Sequence, residues 1–310
     1  MNTPPLWQHH AHGKLLLTGE YAVLDGALAL ALPVRYGQSL RVEAGDAPNR
    51  LLWNSLDRAG KVWFEAAFTG SDFTVEHTTN APTSTRLQQM LRACRAQNPQ
   101  FLNDGAGYQV FTQTGFPREW GLGTSSTLIA LLSRWAEADP YEVLFDTLGG
   151  SGYDIACAFA EGPLVYRLDG RQPNVQAVDF KPPFADQLFF VFLGKKQNSR
   201  EGIQHYRRHK QEHANLIENI SMITRQCLQC REVHEFAGLL LEHERLIGEA
   251  LGLPRAQDLY FPDFPGVVKS LGAWGGDFVL AAGNDAPQDI SAYFRKKGYD
   301  TCISYADMVL

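Results

Sequence analysis

The sequence has no long apolar run, no cysteine framework and no excess of positive charge, and each absence closes off a class of protein. None of its 310 residues lies in an apolar stretch as long as a membrane span, and the first thirteen include no Lys or Arg, so neither a transmembrane helix nor a secretory signal is expected. Five cysteines, an odd and scattered set, suit free thiols in a reducing compartment better than disulfides, and a cytoplasmic protein is expected. With 28 Lys and Arg against 34 Asp and Glu the net charge is −6, which excludes a broad nucleic-acid footprint and leaves only local anion sites. Repeats and low-complexity segments are absent too. What is present is a 45% apolar chain, long enough for one large or two ordinary domains with real cores.

The most informative stretch is Glu119-Trp120-Gly121-Leu122-Gly123-Thr124-Ser125-Ser126. Behind it Leu128, Leu131, Leu132 and Trp135 fall at i, i+3, i+4 and i+7, the apolar face of a helix. Unpaired amides and the helix dipole favour an anion at such a start, and two glycines let backbone approach it closely. A nucleotide polyphosphate is the first ligand to consider, against the plainer reading of a tight turn with a Thr or Ser cap. The Walker loop requires Gly-Lys-Ser/Thr, and the dinucleotide fingerprint requires Gly where Ser126 stands, so neither fits.

From Lys14 to Glu43 the pattern is β, with apolar runs Leu15 to Leu17 and Ala27 to Leu32. A hairpin is predicted around Asp57-Arg58-Ala59-Gly60, then a helix bearing Leu87, Met90, Leu91 and Cys94, then a strand near Tyr108 to Thr112. Past Gly150, strands are predicted at Leu164 to Leu168, Val175 to Phe180 and Leu188 to Leu193. Residues 200 to 251 are largely helical, with Phe236, Leu240, Ile247 and Leu251 on one face, and a helix–strand–helix–strand run covers Asp258 to Ser304. Pro182-Pro183 marks a boundary between domains at 1–181 and 182–310.

Two more glycine clusters, Gly149 to Ala156 and Lys269-Ser270-Leu271-Gly272-Ala273-Trp274-Gly275-Gly276-Asp277, point to a shared site. With these in register the sequence resembles the GHMP kinases, the superfamily of galactokinase, homoserine kinase, mevalonate kinase and phosphomevalonate kinase. The first family motif looks like His12 to Leu24, the second like Gly121 to Ser126 and the third like Lys269 to Asp277, so the resemblance spans the chain. The Gly-Tyr-Asp-Ile-Ala string at residues 152 to 156 is similar to a bacterial branch named GYDIA after those letters. The resemblance implies an α+β fold of two domains, the N-terminal one like domain 2 of ribosomal protein S5 and the C-terminal one ferredoxin-like.

It also implies ATP and Mg2+ as cofactors, with the phosphates on Gly121, Leu122, Gly123, Thr124, Ser125 and Ser126, and Ser125 beside the magnesium. Asp154 corresponds to the family's catalytic aspartate and Lys14 to the lysine that often faces it. A carboxylate can accept the acceptor's proton, and an ammonium offsets charge on the transferring phosphoryl group. Plainer roles are a helix-capping Asp154 and a Lys14 that snorkels from a strand end. Glu20, Tyr21, Ser151, Gly152, Gly272, Ala273 and Gly275 are the implied substrate contacts. Tyr after Glu20 leans toward phosphomevalonate kinase, since mevalonate kinases usually carry His there. A phosphomonoester has a second pKa of about 6 and needs cations more than a base. Lys195, Lys196 and Arg200 beside Ser199 can supply them, against the plainer reading of an exposed basic turn.

Two departures stand out. The segment Thr127 to Gly149 is short where relatives hold longer helices and a magnesium carboxylate, and none of Glu137, Glu142 or Asp146 aligns with it. Trp274 stands where relatives usually have Gly, and its indole either crowds the third loop or packs beneath it. His9, His10 and His12 could chelate a metal but read as a solvated tail or strand edge, and Cys227 and Cys230 as an ordinary helix face. The expected function is an ATP-dependent kinase of a small acidic or phosphorylated acceptor, phosphomevalonate or mevalonate, in isoprenoid precursor synthesis. The alternatives are a silent nucleotide-binding protein on the same fold or a kinase of a sugar or amino-acid alcohol; decarboxylation is disfavoured by Gly-Leu-Gly. Partners on the nucleic-acid or membrane side are not expected, and a homodimer is left open.

Overall fold

The computed structural model describes residues 4–195, 199–209, 215–272, 274 and 276–310, with backbone only at 199–201 and 209. In chain order the elements are β1 (Trp7–Thr18), β2 (Ala29–Gly45), β3 (Arg50–Leu56), β4 (Val62–Thr69), β5 (Thr74–Thr78), α1 (Ala81–Gln97), β6 (Gly107–Thr114), α2 (Thr124–Ala136), α3 (Pro140–Thr147) and α4 (Tyr153–Ala158). There follow β7 (Leu164–Asp169), β8 (Gln172–Ala177), β9 (Leu188–Phe192), α5 (Ser199–His209), α6 (Leu216–Cys227), α7 (Val233–Leu251) and α8 (Ala256–Tyr260). The chain closes with β10 (Val267–Ser270), β11 (Phe278–Ala282), α9 (Pro287–Lys296), β12 (Cys302–Ser304) and α10 (Tyr305–Met308).

The chain folds into two compact units, and neither is a single stretch of sequence. The first holds Met1–Gly13, Tyr36–Arg118 and Leu122–Phe159; the second holds Lys14–Arg35, Glu119–Gly121 and Ala160–Leu310. β1 and β2 each run through both, so a linear division at Pro182-Pro183 falls inside the second unit.

In the first unit the strands run β5-β4-β3-β6 and then the Gln38–Gly45 half of β2. The β3–β4 hairpin turns at Asp57, whose carboxylate accepts the Ala59 and Lys61 amides at 2.9 Å each. Helices α1 to α4 cover the sheet with Leu87, Leu91, Ile129, Leu132, Val143 and Ile155 in one core. β5 escapes the sequence pattern because its five residues are mostly exposed and show no apolar alternation. α3 carries a start signal that was legible: Asp139 caps it from the side chain, with Pro140 in its first turn.

In the second unit β10-β11-β9-β12 form an antiparallel sheet. Its chain order, strand–helices–strand–strand–helix–strand with the first and third strands central, is the ferredoxin-like arrangement. The end of the chain thus holds one strand more than the sequence pattern suggested, because the third glycine segment links two short strands. β8 begins three residues earlier than expected: Gly170, at φ +60°, turns the hairpin so that Asp169 faces Gln172. Pro173 is tolerated because β8 is an edge strand.

Candidate active site

In the first unit, α2 starts at Gly123, whose φ of +94° only glycine adopts cheaply. No side chain caps the helix, so the hydroxyl residues follow the cap instead of making it. The Gly123 carbonyl accepts the Ser126 and Thr127 amides at 3.1 and 3.0 Å, which leaves the earliest amides pointing out of the helix start. Thr127 anchors this end inward by donating to Gln38 Oε1 at 2.7 Å. Ser125 is exposed, Thr124 half-buried and Ser126 buried.

The neighbouring α4 packs against α2 and begins at Gly152, with φ +87°. Asp154 lies in its first turn, where a carboxylate is favoured by the helix dipole. One Asp154 oxygen accepts the Ser126 hydroxyl and the other accepts the Ile155 amide at 3.1 Å. The sequence's second and Gly-Tyr-Asp motifs therefore meet through Ser126 and Asp154. Ser151 and Gly152 are buried beneath them.

In the second unit, Gly121 is approached from two sides. Lys14 Nζ donates to its carbonyl at 3.2 Å, and a Cβ on it would stand 1.8 Å from Asp277 Oδ2. Its φ of +64° adds to the demand for glycine. Trp120 fixes the loop's entry: its ring meets Phe278 edge-on at 5.6 Å and Phe192 at 6.3 Å.

Glu20 and Tyr21 are placed inside the second unit. Glu20 is 1% exposed and accepts from Lys269 Nζ at 2.5 Å. Tyr21 takes φ +59°, and its hydroxyl accepts the Trp274 main-chain amide at 3.2 Å. The Trp274 indole turns away from that loop. It is buried in a cluster with Ile247 and Leu251, donates Nε1–H to Pro254 O at 2.9 Å and reaches Gly248, where a Cβ would meet it at 3.4 Å. The indole packs beneath the third loop.

Gly272, at φ +67°, has open space where a side chain would be. Lys196, Ala273 and Gly275 lie outside the described residues, and Ser199 and Arg200 are described by backbone alone, at the start of α5. Lys195 is described, with Nζ 3.7 Å from the Tyr260 ring centre.

Sequence reasoning missed His243 and Glu244, and quoted Lys269 and Asp277 only as the two ends of the third motif. His243 did leave a signal: it occupies the position between Leu240 and Ile247 in the apolar stripe of α7, where a polar residue needs a buried partner. That partner is the Gly19 amide, which donates to His243 Nε2 at 2.9 Å. Burial and the nearby Lys269 hold this imidazole well below its ordinary pKa, and burial pushes Glu244 up to about 8.

No family model matches the chain, and none of the curated proteins matches it by sequence. Solved structures do match. Phosphomevalonate kinase of Streptococcus pneumoniae, in complex with phosphomevalonate and AMPPNP, superposes with a TM-score of 0.70 at 17% identity, covering 96% of this chain and 100% of that one. Methanococcus jannaschii mevalonate kinase gives 0.67 at 15%, covering 96% and 98%. Lactococcus lactis galactokinase, complexed with galactose, gives 0.66 at 12%, covering 95% and 89%. The chain has the GHMP kinase fold over its whole length.

Proposed function

We propose that the chain is an ATP-dependent kinase that transfers the γ-phosphoryl group to a small acidic acceptor, phosphomevalonate or mevalonate. One observation carries the reading: the uncapped start of α2 at Gly123 stands beside a Ser126–Asp154 pair. Outward amides suit phosphate oxygens, and a half-buried carboxylate at the same helix end suits an acceptor's proton. The S. pneumoniae structure, complexed with phosphomevalonate and AMPPNP, supports both the nucleotide and the acceptor class.

In this reading an acceptor oxygen attacks the γ-phosphorus, the bond to the β-phosphate oxygen breaks, and ADP leaves with that electron pair. Asp154 takes the proton when the acceptor is a hydroxyl. When it is a phosphomonoester, already ionised near neutrality, Asp154 chiefly orients it. The resemblance gives Lys14, whose Nζ donates to the Gly121 carbonyl, the part of offsetting charge on the transferring group. Among the described residues no three His, Cys, Asp or Glu side chains gather into a metal cage. The exposed Ser125 hydroxyl at the start of α2 is a hard oxygen that fits Mg2+, which takes most of its ligands from phosphates and water. When bound it neutralises phosphate charge.

Trp274 gives no support to a silent binding protein, because its indole packs against α7. Phosphorus NMR of the protein with MgATP and either mevalonate or phosphomevalonate tests the proposal. A new phosphoester or diphosphate resonance with matching ADP is the expected result. ATP that persists with both acids and with a panel of sugar and amino-acid alcohols refutes it.

A further inference from the structure

The second unit buries four ionisable residues in one place, and the chemistry above uses none of them directly. Lys269 and Glu244 are 0% exposed, as is His243, and Glu20 is 1% exposed. Lys269 Nζ donates to Glu20 Oε1 at 2.5 Å and to the Ser270 carbonyl at 2.8 Å, and stands 4.0 Å from Glu244 Oε1. Glu244 Oε2 accepts the Ser270 hydroxyl at 3.3 Å. His243 Nε2 receives the Gly19 amide, so its proton is on Nδ1 and the ring is neutral. Its 3.3 Å contact with Glu20 Oε2 is therefore no ion pair.

Charge sets the protonation. Two carboxyls share one ammonium with no water contact, and an unpaired buried carboxylate is costly, so one carboxyl keeps its proton. Glu20, at the shorter distance, is the ionised partner, and Glu244 is the acid. The charged groups facing Glu244 are Lys269 on β10, Glu20 beyond β1 and Arg255 ahead of α8; His243 touches Glu20, and Lys269 acts on the Cys227 thiol of α6.

The cluster joins the two segments that reach Gly121. Lys14 lies on β1, whose end runs into Gly19 and Glu20; Asp277 follows the loop that leaves β10 at Lys269 and Ser270. The same turn carries Tyr21, whose hydroxyl holds the Trp274 amide.

Resting on the kinase reading, we propose that Glu20, Lys269, His243 and Glu244 are positioning residues that hold the first and third glycine motifs in register at Gly121, and that the hold depends on Glu244 keeping its proton. Ionised Glu244 competes with Glu20 for Lys269. The Gly19–Tyr21 turn then loosens, and with it the seating of Lys14 and Asp277 at Gly121.

The test compares the full chain with Glu244→Gln, which mimics the protonated acid at every pH. Two readouts are followed from pH 6.5 to 9.5: kcat/KM for MgATP, and the protection of the amides of residues 18–23 and 270–278 against hydrogen exchange, corrected for intrinsic rate. The wild-type chain should lose at least tenfold in kcat/KM, and in protection of both segments, above pH of about 8. Glu244→Gln should abolish both losses. An alkaline loss that persists in Glu244→Gln overturns the proposal, as does wild-type protection that stays flat over the range. Because exchange needs no turnover, a chain that transfers no phosphate still tests the cluster, and failure of the kinase reading is told apart from failure of this one.

Discussion

Two carboxylates, Asp154 and Glu20, each come from a glycine-rich motif and each look like site residues on paper, yet they live in opposite surroundings. Asp154 is half-buried at the start of α4 and bonded, among the described residues, to a serine hydroxyl and a main-chain amide. Glu20 is sealed under the Gly19–Tyr21 turn with a lysine locked to one oxygen. A carboxylate that must take up a proton needs access and an uncommitted lone pair, whereas one that must hold two segments together needs dryness and a fixed partner. Motif membership alone does not separate these roles; solvent and partner do.

The contrast breaks most visibly at Lys269. Lys269→Met leaves Glu20 charged and unpaired in the interior, and should cost about 3–5 kcal/mol in urea unfolding. A loss within about 1 kcal/mol would mean that Glu20 is less committed than its geometry indicates.

A smaller effect lies in the pH dependence of stability. Glu244 is raised above its unfolded value, so its contribution is present at low pH and drains away as pH rises toward about 8. His243 is lowered from 6.5, so its contribution drains away as pH falls below that value. Between pH 6.5 and 8 the Glu244 contribution should fall by about 2 kcal/mol, a loss that Glu244→Gln removes. Calorimetry at the two pH values checks the sign and the size.

Gly121→Ala sharpens the open side of the comparison. The new methyl meets Asp277, and the residue must keep φ near +64°, a conformation that costs a non-glycine residue about 1–2 kcal/mol. Roughly tenfold weaker AMPPNP binding is expected by titration calorimetry, together with a melting temperature lower by a few degrees. Trp274→Phe, the mildest change, removes the indole donor to Pro254 and should cost about 1 kcal/mol of stability while leaving the acceptor KM in place.

Much of the fold was legible because its signals are local. The apolar periods of α1, α2 and α7, the Asp57 hairpin and the glycine turns fix elements without reference to anything distant. The meeting of Ser126 with Asp154 was legible only through the resemblance, since 28 residues separate them. Of the buried cluster only His243, a polar residue in the apolar stripe of α7, left a signal. The cluster's partners lie up to 249 residues apart, and an interior Lys reads in sequence like any surface Lys. The same limit applies to Tyr21 and Trp274, whose roles come from packing in a helical cluster that no spacing in the chain encodes.

The most direct measurement is single-turnover phosphoryl transfer to mevalonate, with its hydroxyl acceptor, by Asp154→Asn beside the wild-type chain, together with AMPPNP affinity and melting temperature. Transfer is expected to fall about 10²–10⁴-fold while affinity and melting temperature hold, as for a group that acts on the proton and not on the fold. Transfer that survives the substitution, or a loss that follows a fall in melting temperature, would contradict that role.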